Sequence, residues 1–107
     1  MALIEAFRAD GLWPPIVPTV VLVESLQGHG SREANANRFL NACITEEYIS
    51  TPLARRAAEL RRKSRHGSAV DSLVVAFAEP GGTVLTGDRK DIEALASLSR
   101  GVSVELI

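Results

Sequence analysis

The order of its short apolar runs is the feature that most constrains the fold of this chain. Segments with the composition of buried strands lie at 16–17, 48–49, 83–86 and 102–106, and segments with helical spacing of apolar residues separate them. Strands that alternate with helices are typical of an α/β fold with a parallel sheet. The 107 residues contain no internal repeat, linker or low-complexity stretch, so residues 1–107 are predicted to form one domain.

Helix signals occupy the intervening segments. A first helix is predicted over 2–10, where apolar residues recur at helical spacing and Gly11 supplies a stop. Ser31 is predicted to cap a second helix, Thr51-Pro52 to open a third and Ser68 to cap a fourth. The fourth is apolar nearly all round and is therefore predicted to be central, and a last helix is predicted over 91–98.

Residues 19–26 allow two interpretations. Four consecutive β-forming residues, 20–23, favour a strand by propensity. Thr19 could equally cap a helix whose apolar face contains Val20, Val23 and Leu26 and which ends at Gly28. Periodicity alone does not choose between them.

Bulk composition excludes several classes of protein. A net charge of −1 argues against a protein that coats or packages nucleic acid, although local phosphate contacts remain compatible with it. No apolar run reaches the ~18 residues needed to cross a membrane. The single cysteine, Cys43, cannot form an internal disulfide and fits a reducing cytoplasm, where we expect the protein to be. Its apolar neighbours favour a core role over that of a catalytic thiol.

Three acidic residues stand beside the predicted elements. Glu24 interrupts an apolar run, Asp71 lies in the first turn of the fourth helix, and Asp88 directly follows the strand at 83–86. Functional residues of parallel α/β sheets lie at the carboxyl ends of strands, and carboxylates gathered there repel one another unless a cation or a proton intervenes. Each acid also has a structural interpretation: Asp71 completes a near capping box with Ser68, Asp88 suits a turn, and Glu24 suits a solvated helix.

Basic residues are concentrated in one helix. Six of the twelve Lys and Arg residues lie between 55 and 65, where they form either a solvated helix face or a strip that contacts phosphates. Arg89 and Lys90 adjoin Asp88, so we expect them to be better placed for phosphate contact.

Five segments follow one another along the chain: I-V-P-T-V-V-L-V-E-S-L, E-A-N-A-N-R-F-L, T-P-L-A-R-R-A-A-E-L, S-A-V-D-S-L-V-V-A-F-A and T-V-L-T-G-D-R-K-D-I-E-A-L. In this order they resemble the PIN domain family, in particular the VapC-type toxin ribonucleases of toxin–antitoxin pairs. The resemblance implies a PIN-like three-layer sandwich with a parallel sheet. It also implies that residues 19–26 form a helix.

The same resemblance implies a function. Family members are Mg²⁺- or Mn²⁺-dependent endoribonucleases, bind a VapB-type antitoxin and form homodimers. Glu24, Asp71 and Asp88 match the metal-binding acids of the family, Thr86 matches a polar position before the last acid, and Asp91 is a weaker match.

One departure from the family pattern is large. The family opens with a strand that ends in an aspartate and continues into a helix, and this chain lacks about 25 residues that would hold both. Three explanations stay open: a start codon upstream of Met1, a truncated and inactive product, or a sheet completed by a second copy. An inactive protein that keeps its antitoxin-binding or dimerisation surface is therefore the alternative to a ribonuclease.

Overall fold

The computed structural model describes residues 2–5, 15–26, 30–87 and 89–106. Helices and strands follow one another along these residues in a mixed α/β order. The elements are β1 (Ala2–Glu5), β2 (Ile16–Pro18), α1 (Thr19–Ser25), α2 (Gly30–Asn41), β3 (Ile44–Glu46), α3 (Thr51–Ser64), α4 (Ala69–Ala78), β4 (Thr83–Thr86), α5 (Arg89–Ala96) and β5 (Ser103–Leu106). None of the helices in these ranges is long and apolar enough to cross a membrane.

The strands form a single sheet in the order β3-β2-β1-β4-β5. Two pairs, β2 with β3 and β4 with β5, are parallel, as the alternation of strands and helices predicts. The central strand β1 runs antiparallel to both of its neighbours. The sheet is therefore mixed, and the expectation of a wholly parallel sheet is wrong at its centre.

Strand β1 also corrects the prediction of a helix over 2–10. Residues 2–5 are extended, and Leu3 pairs with Leu85 while Ile4 pairs with both Val84 and Ile16. Four residues of extended backbone at this position supply partners for the backbone N–H and C=O groups of β2 and β4, which a helix could not do. The remainder of that predicted helix, and its stop at Gly11, lie outside the described residues.

Strand β3 lies four residues earlier than predicted. Ile44 pairs with Ile16, whereas Tyr48 of the predicted strand at 48–49 is 73% exposed. The backbone N–H of Tyr48 donates to the side chain of Glu46 at 2.9 Å, so a local turn takes the hydrogen bond that a strand would have used.

Residues 19–25 are helical, which confirms the helix implied by the family resemblance. The buried face differs from the expected one, because Val21 is 1% exposed while Val23 is 78% exposed. The helix follows β2 without a linker, and Val21 packs in the same buried core as Val17 of β2.

The caps of the later helices follow the sequence closely. Ser50, one residue before the predicted cap, accepts a hydrogen bond from the Leu53 N–H at 3.2 Å and opens α3. Helix α2 begins at Gly30 rather than after Ser31, and α5 begins and ends two residues earlier than predicted.

Helix α4 is central, as predicted. It packs on α3, α5 and the sheet, and half of its ten residues are buried. The core that it shares with β2, β4 and the facing sides of α3 and α5 includes fully buried aliphatic residues: Val17, Leu60, Val74, Val75, Val84 and Leu95. Burial of this set fixes the ends of the elements that carry the candidate site.

Candidate functional site

One edge of the sheet gathers the acids that the sequence singles out. Strands β2 and β4 both end at this edge, and α1 follows β2 at once. Helix α4 leads through a short turn into β4, so its first turn lies at the edge where β4 ends. Glu24 of α1 and Asp71 of α4 are brought to the same edge although 44 residues separate Glu24 from Ser68 at the α4 cap.

Ser68 joins the two acids. Its hydroxyl donates to Glu24 Oε2 at 3.4 Å and accepts a hydrogen bond from the Asp71 N–H at 3.0 Å. The Asp71 Oδ2 atom accepts from the Ser68 N–H at 3.2 Å. One residue therefore contacts carboxylates from two separate helices, Glu24 through its hydroxyl and Asp71 through its backbone N–H.

Asp71 and Ser68 form a complete capping box, so the structural interpretation of Asp71 is confirmed. The capped carboxylate can still bind a further partner. A carboxylate offers about four lone-pair sites, and the box occupies one of them, on Oδ2. The half-buried Asp71 thus has a fixed orientation and spare acceptor capacity, which are what a metal ligand needs.

The remaining predicted site residues lie along β4 and α5. Thr86, the last residue of β4, is 1% exposed, and Asp91 is half-buried in the first turn of α5. Asp88 lies outside the described residues, so the predicted trio is represented by Glu24 and Asp71.

The central strand contributes no acid to this edge. Because β1 is antiparallel to its neighbours, its first residue, Ala2, pairs with Thr86 at the site edge. Glu5, at the other end of the strand, pairs with Thr83 and belongs to the opposite edge of the sheet.

Among the described residues, no group of three or more His, Cys, Asp or Glu side chains could hold a metal ion. The two carboxylates joined by Ser68 nevertheless match the chemistry of Mg²⁺, which binds oxygen ligands, retains several waters and often uses one or two carboxylates. Glu24 and Asp71 therefore fit such an ion, and a third His, Cys, Asp or Glu ligand would have to come from outside the described part of the chain.

The cationic side chains near the site differ in whether they form ion pairs. Arg89, one of the two predicted RNA contacts, forms an ion pair with Glu93 one turn along α5, and Lys90 is exposed. Arg61, Arg62 and Arg65, at the end of α3, are exposed, and within the described ranges no acidic side chain pairs with them.

A second polar cluster lies at the end of α4 that is far from the site, and no pattern in the sequence predicts it. Glu79, just after α4, accepts two hydrogen bonds from the Arg56 guanidinium, both at 2.8 Å, and one from the Arg100 N–H at 2.7 Å. These bonds lower the pKa of Glu79, and the same pairing raises the pKa of Arg56. Arg56 and Glu79 are 23 residues apart, so no local spacing signals the pair.

Cys43 is half-buried, and its Sγ lies 3.4 Å from the Phe39 carbonyl oxygen as a donor. Burial raises the pKa of this thiol, which disfavours the thiolate that a nucleophile requires. The core interpretation of Cys43 fits this setting better than the catalytic one.

Comparisons of the chain with protein-family models, curated proteins and solved structures give no significant match.

Proposed function

We propose that this chain is a metal-dependent endoribonuclease of the PIN type, acting as the VapC-like toxin of a toxin–antitoxin pair. The observation that carries the proposal is the junction of Glu24 and Asp71 at Ser68, on the edge of the sheet where parallel strands end. The proposal places Asp88 with them as the third acid, and Mg²⁺ or Mn²⁺ as the cofactor.

The chain's own residues perform two tasks in this proposal. Glu24 and Asp71 hold the cation, and Ser68 hydrogen-bonds both carboxylates, Glu24 through its hydroxyl and Asp71 through its backbone N–H. When bound, the cation supplies a water of lowered pKa and compensates the charge that develops on a phosphodiester during hydrolysis. Lys90 is a candidate for steadying the scissile phosphate, and Arg89 could do so after leaving Glu93.

The Asp71→Asn variant tests the proposal. The Asn side-chain oxygen can still accept the Ser68 N–H, so the cap and the fold should survive while the carboxylate charge is lost. We expect Mn²⁺-dependent cleavage of a labelled RNA to fall by at least about 100-fold, since loss of even an outer partner of a metal costs about 10- to 100-fold.

Glu59→Gln provides the matched control, because it makes the same carboxylate-to-amide change in the middle of α3, at a side chain that is 41% exposed. It should cleave like the parent chain. Undiminished cleavage by a folded Asp71→Asn variant would contradict the assignment of the site.

A second candidate function is an inactive PIN-like protein that binds an antitoxin or a second copy of itself. The observation that favours it is the direction of β1, which brings Ala2 and no acid to the site edge. Absence of cleavage with added Mn²⁺, in a preparation that still binds the partner antitoxin, would support this alternative over the ribonuclease.

A further inference from the structure

Three arginines form an exposed cationic group at the carboxyl end of α3. Arg61 and Arg62 lie in its last turn and Arg65 is its C-cap residue; together they are called the α3 basic end. Other cations of the same region are engaged: Arg56 binds Glu79 and Glu59, and Lys63 lies 3.8 Å from Glu59. Within the described residues, the α3 basic end has no such acidic partner.

The α3 basic end is held close to the acidic junction. Arg65 and Ser68 are three residues apart, so their Cα atoms are separated by at most about 11 Å. The connecting residues are tied down: the Ser64 hydroxyl accepts from the His66 N–H at 3.1 Å. Gly67 packs so tightly on α5 that a Cβ there would lie 2.7 Å from Leu95 Cδ1. The backbone that carries the three charges is therefore held beside the site.

The surface next to these charges is a groove lined mostly by small apolar side chains. An open groove of about 180 Å³ runs between α3 and α4, and small side chains line most of it: Ala54, Ala57, Ala58, Ala69 and Ser72, together with Leu73 and Arg61. Of the three arginines, Arg61 lines this groove. Small neighbours leave room for a polymer backbone to approach the guanidinium groups.

Arg65 adopts a backbone conformation that favours glycine. Its φ of 58° is in the left-handed region, which costs an ordinary residue about 1–2 kcal/mol. Attraction to the helix dipole accounts for cations in the last turn, such as Arg61 and Arg62. It does not require an arginine at the cap, where glycine is the commonest residue. An arginine at such a position points to a use for its side chain.

We propose that the α3 basic end binds the phosphodiester backbone of single-stranded RNA as it leaves the acidic junction along the α3–α4 groove. Arginine suits this task, because its planar donors match phosphate oxygens in pairs. The inference rests on the proposed function only for the choice of RNA as the polyanion. It assigns backbone contact chiefly to α3, whereas the sequence favoured Arg89 and Lys90.

Binding is measured without cleavage, so that the two proposals are tested separately. Fluorescence anisotropy of the full chain with a labelled single-stranded RNA of about 16 nucleotides, in EDTA, reports affinity alone. Each phosphate contact on a single strand contributes a slope of about −0.7 in log K against log salt, which is about fivefold in affinity at about 0.1 M salt. Arg61→Gln, Arg62→Gln and Arg65→Gln should each lose about that factor and flatten the slope by about 0.7.

Arg100→Gln is the matched control. Arg100 is exposed, but its carbonyl accepts from the Gly81 N–H at the opposite edge of the sheet, so its replacement should leave RNA affinity within about twofold. A folded triple variant of the α3 basic end that binds RNA as tightly, and with the same salt slope, would overturn the inference even if the parent chain cleaves RNA. Weakened binding by these variants would uphold it even if no cleavage is found.

Discussion

Replacing Glu79 by Gln should destabilise the protein more than loss of any surface ion pair. The Glu79 side chain is 6% exposed and receives three hydrogen bonds, from Arg56 Nε, Arg56 Nη2 and the Arg100 N–H. Gln offers one acceptor oxygen, and its amide N–H groups would face guanidinium donors. Hydrogen bonds to charged groups contribute about 1.5–3 kcal/mol each, and breaking a buried ion pair costs about 3–5 kcal/mol.

The expected loss is about 3 kcal/mol, at the low end of that range, because Arg56 is 20% exposed and keeps Glu59 as a partner. For a chain of this size, with about 4 °C per kcal/mol, Tm should fall by about 12 °C. Arg89→Gln breaks the exposed pair with Glu93, whose side chains are 54% and 49% exposed, and should cost no more than about 0.5 kcal/mol. Thermal unfolding followed by circular dichroism measures both.

The dependence on pH provides a second check. The folded state lowers the pKa of Glu79, so the carboxylate contributes stability above the unfolded pKa of about 4.5 and loses it as pH falls through the lower, folded value. The difference in stability between the parent chain and Glu79→Gln should therefore be constant near neutral pH and shrink below about pH 4.5. Equal losses for Glu79→Gln and Arg89→Gln, or a difference that does not change with pH, would refute the reasoning.

Two backbone predictions concern the turns. Arg65→Gly should stabilise the fold by about 0.5–1 kcal/mol. Glycine removes the cost of the left-handed backbone, about 1–2 kcal/mol, and this exceeds its own entropic cost of about 0.5–1 kcal/mol. Urea titration measures the free energy of unfolding, and a loss of stability would contradict the account. Gly82→Ala should cost about 1–3 kcal/mol, because its Cβ would lie 2.5 Å from the Ala78 carbonyl oxygen. Gly87→Ala, with open space around it, serves as the control and should change stability little.

Local chemistry explains which parts of the fold the sequence predicts. Ser68, Asp71 and an apolar run predict helix α4, and each of these signals acts within one turn. Four β-forming residues between turn signals predict strand β4. In both elements, local propensity and the final packing favour the same structure.

Tertiary packing decides where the prediction fails. Residues 20–23 favour a strand by propensity, yet they form a helix, which places Val21 in the core with Val17 of β2. Residues 2–5 fit a helix by spacing, yet they form a strand because β2 and β4 require hydrogen-bond partners between them. The pair of Arg56 and Glu79 depends on the packing of α3 beside α4, which no local window contains.

The direction of β1 links the fold to the chemistry of the candidate site. A central parallel strand would present its last residue to the edge where Glu24 and Asp71 meet, whereas antiparallel β1 presents Ala2 there. A divalent cation at this edge would then have fewer carboxylates around it and more waters. Mg²⁺ accepts that arrangement, because it dehydrates reluctantly and often binds through one or two carboxylates and substrate phosphates. Phosphate contacts made by the α3 basic end would accordingly matter more for holding RNA at this edge than in a site with a full set of acids.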